Sequence, residues 1–169
     1  MNRHEVDLLV IGCGLAGCAT ALAAERNGLR VVVLGKDPNP DASNTWHAQG
    51  GIIYRGQLDS PERLAEDIVS AGAGLCKPEA VDLLSHEGPR LVEEVLIAHA
   101  GVAFDRASDG SDALDLTAEA AHSVARIVHQ QDATGRSIAD HMLAAVRREP
   151  NVTILTGYTA IDLLTLSHH

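Results

Sequence analysis

The chain has 169 residues, enough for about one domain with a sizeable buried core, and 46% of them are hydrophobic. Aromatic residues make up only 2%, so the core must be built from Ala, Val, Leu and Ile. The formal net charge of -10 argues against a nucleic-acid partner, because no basic surface offsets the acidic balance.

The cysteines and the longest uncharged stretch limit compartment and topology. Cys13, Cys18 and Cys76 show no metal-ligand spacing and cannot all pair within one chain. This usage predicts a reduced, cytoplasmic protein without a metal site. The stretch 8–24 is too short and too rich in glycine and alanine for a membrane span. It predicts a buried strand followed by a buried helix.

The first predicted unit, residues 6–36, is a strand, a glycine turn, a helix and a second strand. The run VDLLVI leads into Gly12-Cys13-Gly14-Leu15-Ala16-Gly17, and a small-residue helix precedes RVVVL. Gly12 permits a tight turn, Gly14 lets the backbone approach a pyrophosphate, and Gly17 lets the helix pack close to the sheet. The free amides and positive dipole end of the helix would face phosphates. The pattern favours a nucleotide site over a structural turn, with Cys13 as a tolerated small residue.

The second strand ends at Gly35-Lys36, where many dinucleotide-binding units carry an acidic residue that holds ribose hydroxyls. Its absence argues against a generic NAD site. Lys36 either contacts phosphate or ribose oxygens or is solvated. The polar stretch 37–51 is long for a simple connection and ends in Ala48-Gln49-Gly50-Gly51. The paired glycines either let backbone amides approach a flat ligand edge or form a flexible turn.

Proline and capping signals predict three helices in the next part of the chain. They cover residues 60–71, a segment from residue 77, and residues 89–99. The third would bury Leu91, Val95 and Ala98 as its apolar stripe. Residues 102–104 then predict a short strand, and the acidic loop 105–115 is interpreted as solvated, since it lacks metal-ligand spacing.

Residues 117–135 concentrate ionisable side chains that suit either a substrate site beside a cofactor or a surface segment. These side chains are Glu119, His122, Arg126, His129 and Asp132. A helix over 135–149 leads to a strand over 152–155, predicted as the third parallel strand after a right-handed crossover. The expected fold class is α/β, with a Rossmann-like central parallel sheet flanked by helices.

Five motifs in order resemble the flavoprotein family of L-aspartate oxidase and the succinate dehydrogenase and fumarate reductase flavoprotein subunits. They are VIGCGLAG at 10–17, VVLGK at 32–36, NTWHAQGGI at 44–52, AGAGLC at 71–76 and EAAHSVARIVHQQDATGR at 119–136. The resemblance implies FAD with its pyrophosphate on residues 12–17, Lys36 near the adenosine half, and the Thr159 backbone against adenine. The residues implied to run along the flavin are Asn44, Thr45, Trp46, His47, Ala48, Gln49, Gly50 and Gly51.

Two positions favour L-aspartate oxidase within that family. Asn44 stands where respiratory members carry a histidine bonded to the flavin, which implies non-covalent FAD. Glu119 stands where aspartate oxidases carry a glutamate thought to meet the substrate ammonium group, and His122 is the second candidate catalytic residue. The implied reaction is hydride transfer from L-aspartate to FAD, giving iminoaspartate. Oxygen or fumarate would reoxidise the flavin, and quinolinate synthase would receive the imine on the route to NAD.

Related enzymes are longer, which predicts that residues 1–169 form the N-terminal part of an FAD-binding domain, without the capping and C-terminal helical domains. Such a piece is expected to be inactive alone, and its incomplete sheet to favour self-association. Gly35 departs from the serine usual in the family, and Val124 and Ala125 replace a histidine and an arginine. The alternatives are a soluble fumarate reductase or succinate dehydrogenase-like flavoprotein, or a non-catalytic nucleotide-binding module. Neither a nucleic-acid nor a membrane partner is expected.

Overall fold

Two small sheets and five helices organise the fold, which a computed structural model describes for residues 4–40 and 42–165. The strands are β1 (Leu8–Ile11), β2 (Val31–Gly35), β3 (Ile52–Ile53), β4 (Leu116–Thr117), β5 (Ile127–Val128) and β6 (Val152–Thr156). The helices are α1 (Leu15–Glu25), α2 (Asn44–His47), α3 (Pro61–Ala71), α4 (Pro78–Leu91) with a π-helical continuation at Val92–Ala100, and α5 (Thr134–Arg148).

The first sheet is parallel, in the order β1-β2-β6, and confirms the predicted α/β class. The central strand β2 has a continuous apolar sequence, and Val31, Val32 and Val33 are all buried. This is the burial expected of a parallel strand covered on both faces. β1 lies at the edge of the sheet, where Ile11 is 68% exposed. The prediction that 152–155 forms the third parallel strand is also confirmed.

The helix α5 supplies much of the core beneath this sheet. Its predicted face, Ile138, Met142 and Val146, is buried, and it packs against α1. α1 meets it with small side chains, including Cys18 and Ala21. Because α1 is narrow on this side, the two helices and the sheet approach one another closely.

The prediction of a separate helix starting at Pro89 is wrong. α4 runs through Pro89 and continues into the π-helix, so one long helical segment covers residues 78–100. Proline cannot donate to the carbonyl four residues earlier. That carbonyl, on Ser85, accepts instead from Arg55 Nη2 at 2.9 Å, which satisfies the backbone and lets the helix continue.

The predicted apolar stripe of that segment is wrong at two of its three positions, since Val95 packs partly buried against the core but Leu91 and Ala98 are exposed. The buried residues are Val92, Leu96 and Ala100, whereas Leu91 is 44% exposed. A π-helix has more residues per turn than an α-helix, so side chains four apart, and not alternately three and four, share its inner face.

The second sheet is antiparallel, in the order β3-β5-β4, with Val128 of β5 paired to both Ile52 and Leu116. The strand predicted over 102–104 is wrong. Val102 and Phe104 are buried, but the Val102 amide donates to the Leu96 carbonyl at 2.9 Å and closes the end of the helix. The apolarity of this segment reflects core packing without strand pairing.

The uncharged stretch 8–24 divides into a strand, a turn and a helix, as predicted, but the expectation of a buried strand is wrong, since only Val10 of β1 is buried and Leu9 and Ile11 are exposed at the sheet edge. Within the described residues, none of the helices combines the length and apolarity needed to cross a membrane. From this stretch, Val10 of β1 and one face of α1 enter the domain core.

Candidate functional site

An open crevice of about 570 Å³ lies at the amino end of α1, between the glycine turn and the segment that follows β2. The N-terminal amides of α1 border it, and these have no carbonyl partner within the helix. The helix dipole adds a partial positive charge at the same place. The residues lining the crevice are Ile11, Gly12, Cys13, Gly14, Leu15, Ala16, Gly17, Gly35, Lys36, Asp37, Asn39, Pro40, Ala42, Ser43, Asn44 and Thr45.

The three motif glycines are each explained by backbone geometry. Gly12 has φ +116°, a conformation that other residues rarely adopt, and its amide donates to the Leu34 carbonyl at 2.8 Å. A Cβ on Gly17 would overlap the carbonyl oxygen of Gly12, so only glycine lets α1 approach the turn. A Cβ on Gly14 would lie 3.3 Å from Thr45 Oγ1. Glycine at position 14 therefore keeps a narrow part of the crevice open.

Cys13 packs inside the crevice wall instead of presenting a reactive thiol. Its side chain is buried, and burial raises the pKa of the thiol. Burial also raises the pKa of Cys18, to about 12, so both thiols are protonated at neutral pH. A Cβ on Gly35 would lie 2.8 Å from Cys13 Sγ. The Cys13 sulfur therefore occupies the space that a side chain at position 35 needs, which explains the glycine there.

The segment between β2 and β3 contains a short helix, α2, that the sequence analysis missed. Ser43 precedes α2, and its Oγ accepts from the Trp46 amide at 3.4 Å. Thr45 Oγ1 accepts from the Leu15 amide at 3.0 Å and ties α2 to the start of α1. A serine cap was the available sequence signal, but a four-residue helix has too little periodicity to be recognised.

The start of α5 holds this segment on its other side. The Gly135 amide donates to the Ala48 carbonyl at 3.0 Å. A Cβ on Gly135 would overlap the carbonyl oxygens of Thr45 and Ala48, so this close approach requires glycine. The Arg136 guanidinium lies 4.7 Å from the centre of the Trp46 ring, a cation–π contact. α2 is thus fixed between the two helices α1 and α5.

The double glycine leads the segment from α2 to Glu119. A Cβ on Gly51 would overlap Ile127 and the Val128 carbonyl of β5, so Gly51 lies directly against the second sheet. A Cβ on Gly50 would lie 3.4 Å from Glu119 Oε1. The residues from His47 to Gly51 are all exposed, as is Glu119. Residues 47–51 therefore form an exposed strip that leads from α2, whose Asn44 and Thr45 line the crevice, to the Glu119 carboxylate.

Glu119 begins a tight turn that also carries His122, whose amide donates to the Glu119 carbonyl at 3.1 Å. Ala121 in this turn has φ +72°, which costs about 1 kcal/mol for a residue with a Cβ. Asp67 of α3 restrains the turn, since its Oδ2 accepts from the Ser123 amide at 2.8 Å and from the Ser123 hydroxyl at 3.0 Å. The hydrogen bond from the Ser123 amide is the main cause that lowers the pKa of Asp67 to about 2.

A buried arginine lies behind that turn. Arg126 is fully buried and binds Asp59 through two parallel hydrogen bonds, Nε to Oδ2 at 2.9 Å and Nη2 to Oδ1 at 2.8 Å. Its Nη1 donates to Asp67 Oδ2 at 2.5 Å and lies 2.9 Å from His122 Nδ1. The sequence analysis missed both aspartates, which precede Arg126 by 67 and 59 residues and carry no motif.

The other candidate residues lie in three places, which are the crevice lining, the segment after β6 and the end of β5. Lys36 and Asn44 are exposed on the crevice lining. Thr159 is exposed outside that lining, but it follows Tyr158, whose amide donates to the Gly35 carbonyl at 3.0 Å. His129 directly follows β5 and pairs with Asp105, with Nδ1 and Oδ2 3.1 Å apart. The hydrogen bonds and ion pairs of His129 therefore involve other residues than Glu119 and His122.

The donor set fits an extended anionic dinucleotide. The crevice offers the N-terminal amides of α1, the backbone of its lining glycines and the ammonium group of Lys36. The exposed glycine pair supplies backbone to a flat ring further along the strip. Among the described residues there is no cluster of three or more histidine, cysteine or carboxylate side chains arranged to hold a metal ion.

Comparison with known sequences gives consistent matches. A family model described as "FAD binding domain" matches residues 7–168. The L-aspartate oxidase of Halobacterium salinarum is 46% identical over 165 residues, which are 97% of this chain and 31% of that protein. The chloroplastic L-aspartate oxidase of Arabidopsis thaliana is 42% identical over 160 residues, 94% of this chain and 24% of that protein. The chain therefore spans a third or less of these relatives.

Two solved structures illustrate that the same fold occurs in known proteins. The apo Sdh1 complex of Mycobacterium smegmatis matches with a TM-score of 0.83 and 26% identity, over 93% of this chain and 28% of that chain. The quinol fumarate reductase of E. coli matches with a TM-score of 0.82 and 25% identity, over 91% of this chain and 26% of that chain.

Proposed function

This chain belongs to the FAD binding domain family, and from that premise we propose that it is the N-terminal, FAD-binding part of an L-aspartate oxidase. The carrying observation is the α1 crevice together with the exposed strip that leads from α2 to the Glu119 carboxylate, with four close glycine contacts along the two. These contacts involve Gly14, Gly17, Gly50 and Gly51. Such a strip matches a ligand that has a diphosphate at one end and a planar ring at the other.

In this proposal the crevice binds the diphosphate without covalent bonds. The N-terminal amides of α1 other than that of Leu15, which donates to Thr45 Oγ1, donate to phosphate oxygens, and the exposed Lys36 ammonium group neutralises charge near the adenosine half. The Thr159 backbone, one residue beyond the Tyr158 link to Gly35, lies toward adenine. Asn44 has no nucleophilic nitrogen that could bond to a flavin, so the bound FAD dissociates.

The exposed strip then positions the substrate. FAD supplies hydride acceptance when bound, and the amides of Gln49, Gly50 and Gly51 offer donors where negative charge develops on the ring. Glu119 accepts from the substrate ammonium group, which L-aspartate carries and succinate lacks. The product is iminoaspartate, which quinolinate synthase consumes, and oxygen or fumarate restores the oxidised flavin.

Titration of FAD tests the cofactor part. Trp46 is the single tryptophan of the chain and lies in α2, between Thr45 of the crevice lining and the exposed strip 47–51, so bound flavin is expected to quench its fluorescence. Gly14→Ala places a methyl group in the crevice with only a 3.3 Å contact to Thr45 Oγ1, and should weaken binding at least tenfold without unfolding. Gly88→Ala is the matched control, since its Cβ would make an ordinary 3.5 Å contact with Leu84.

The cofactor proposal fails if FAD leaves Trp46 fluorescence unchanged, or if Gly14→Ala and Gly88→Ala bind FAD equally well. The purified chain is expected not to oxidise L-aspartate, because it spans a third or less of the L-aspartate oxidases it matches, and we propose that further groups needed to enclose the substrate lie in the rest. Normal turnover by these 169 residues would contradict that expectation.

The fumarate reductase neighbours make a dicarboxylate enzyme the second candidate. The discriminating residue is Glu119, and the experiment is substrate profiling of a protein that carries this chain together with the remaining domains. Glu119→Gln should lower kcat/KM for L-aspartate and reduce the preference for L-aspartate over succinate. A wild-type preference for succinate would favour the second candidate.

The edge of the parallel sheet supports one further part of the proposal. β1 pairs only with β2 among the described strands, and its Leu9 and Ile11 are 47% and 68% exposed. Unpaired edge strands with apolar side chains associate readily. We therefore include self-association of the isolated chain, which sedimentation velocity over a concentration series tests.

A further inference from the structure

We propose that Arg126 is a positioning residue that holds His122 as the Nε2–H tautomer, so that the ring presents an N–H donor beside the Glu119 carboxylate. This inference rests on the proposed function for the identity of the substrate. The tautomer itself follows from contacts among Arg126, Asp59, Asp67 and His122.

The hydrogen-bond inventory fixes the direction of the contact between Arg126 and His122. A guanidinium has five N–H donors and no acceptor. Arg126 donates its Nε hydrogen and one Nη2 hydrogen to Asp59, and one Nη1 hydrogen to Asp67. The second Nη1 hydrogen points to His122 Nδ1 at 2.9 Å. His122 Nδ1 must therefore present a lone pair, and in the neutral ring the proton lies on Nε2.

The arginine cannot easily turn away from this contact. Its side chain is fully buried, and the Asp59 side chain that grips it is 1% exposed. Two parallel bonds to one carboxylate fix the guanidinium plane, and the Asp67 bond fixes its rotation within that plane. Asp67 also holds Ser123, the residue after His122, by two hydrogen bonds. One cluster therefore restrains both the ring and the backbone that carries it.

The far side of the His122 ring remains available. Nε2 makes no hydrogen bond to the described residues and is not among their buried unpartnered atoms, so it reaches solvent. The turn thus presents a carboxylate acceptor on Glu119 and an N–H donor on His122, three residues apart. An α-amino acid carries the complementary pair, an ammonium donor and a carboxylate acceptor. His122 would accordingly bind a substrate carboxylate oxygen while Glu119 binds the ammonium group.

Long-range ¹H–¹⁵N spectra of the chain test the tautomer directly, at about pH 8.5, where imidazoles are neutral. His122→Gln identifies the His122 signals. We expect a protonated Nε2 and an unprotonated Nδ1. Arg126→Lys keeps the positive charge but removes the planar guanidinium with its several directed N–H groups. In this variant the fraction of His122 in the Nδ1–H form should rise by about tenfold. Arg106→Gln is the control, because Arg106 is a half-exposed arginine paired with Asp112 on the acidic loop.

A protonated Nδ1 in the wild-type chain overturns the inference, and this result needs no variant that must fold. An unchanged tautomer ratio in a folded Arg126→Lys chain also overturns it. FAD titration of the same samples separates this inference from the proposed function. If the chain does not bind FAD but His122 is protonated on Nε2, only the proposed function is contradicted. If the chain binds FAD but His122 is protonated on Nδ1, only the positioning role of Arg126 is contradicted.

Discussion

Introducing a side chain at position 35 is expected to expose the dependence of the crevice wall on Cys13. A Cβ on Gly35 would lie 2.8 Å from Cys13 Sγ, nearly 1 Å inside ordinary van der Waals contact. Its other neighbours, Thr156 Cγ2 at 3.6 Å and the Asp37 carbonyl oxygen at 3.8 Å, are unstrained. The conflict therefore involves a single sulfur atom on a buried side chain.

Overpacking of this kind costs about 1–3 kcal/mol of unfolding free energy, so Gly35→Ser should destabilise the chain by that amount. Cys13→Ala removes the sulfur and costs about 1 kcal/mol on its own. In the double variant the clash is gone, so the two changes should cost at least about 1 kcal/mol less than the sum of the single effects.

Urea unfolding followed by Trp46 fluorescence and far-UV circular dichroism measures this coupling for the four proteins of the cycle. Gly35→Ala is the control for the hydroxyl group, because it adds only the Cβ and should show the same coupling with Cys13→Ala. Additive effects, within about 0.3 kcal/mol, would refute the argument that the sulfur occupies the space needed by residue 35.

Three further outcomes follow from the structure. The pKa of Asp67 is lowered from 3.8 to about 2, so its contribution, about 2 kcal/mol, is present above pH 4 and lost as the pH falls through 2. Urea titrations at both pH values should show this loss, and Asp67→Asn should lack it. Gly135→Ala should displace the Thr45 and Ala48 carbonyls and shift the emission of Trp46, whereas Gly88→Ala should not. Acid precipitation after FAD loading should leave all flavin in the supernatant, since Asn44 forms no covalent bond, and a yellow pellet would contradict this.

Local patterns were sufficient to predict the elements that depend on neighbouring residues. The run from β1 through the glycine turn to β2 was predicted because glycine geometry and continuous apolarity are both encoded within 30 residues. Ser60 and Pro61 likewise marked the start of α3, where Ser60 Oγ accepts from the Arg63 amide at 3.2 Å. The position of β6 followed from the same parallel-strand reasoning.

The features that depend on contacts between residues far apart in the sequence could not be predicted in this way. Pro89 predicts a helix start unless another residue satisfies the Ser85 carbonyl, and that residue, Arg55, lies 30 positions before Ser85. The buried cluster of Arg126 with Asp59 and Asp67 could not be predicted either, since an aspartate before a helix usually suggests capping and one within a helix usually suggests a solvated face. The roles of Glu119, His122 and the crevice residues remain predictions, although the structure brings Glu119 beside Gly50.

The helix that passes through Pro89 ties together two positions whose substitutions would otherwise be independent. Arg55 is useful at its place because the proline leaves the Ser85 carbonyl vacant. In a homologue with a residue other than proline at position 89, the backbone N–H of that residue can donate to the carbonyl of residue 85, so Arg55 is no longer needed. A homologue that keeps the proline needs a hydrogen-bond donor at position 55. Positions 55 and 89 should therefore co-vary across homologues, and the order in which their mutations are fixed should be constrained.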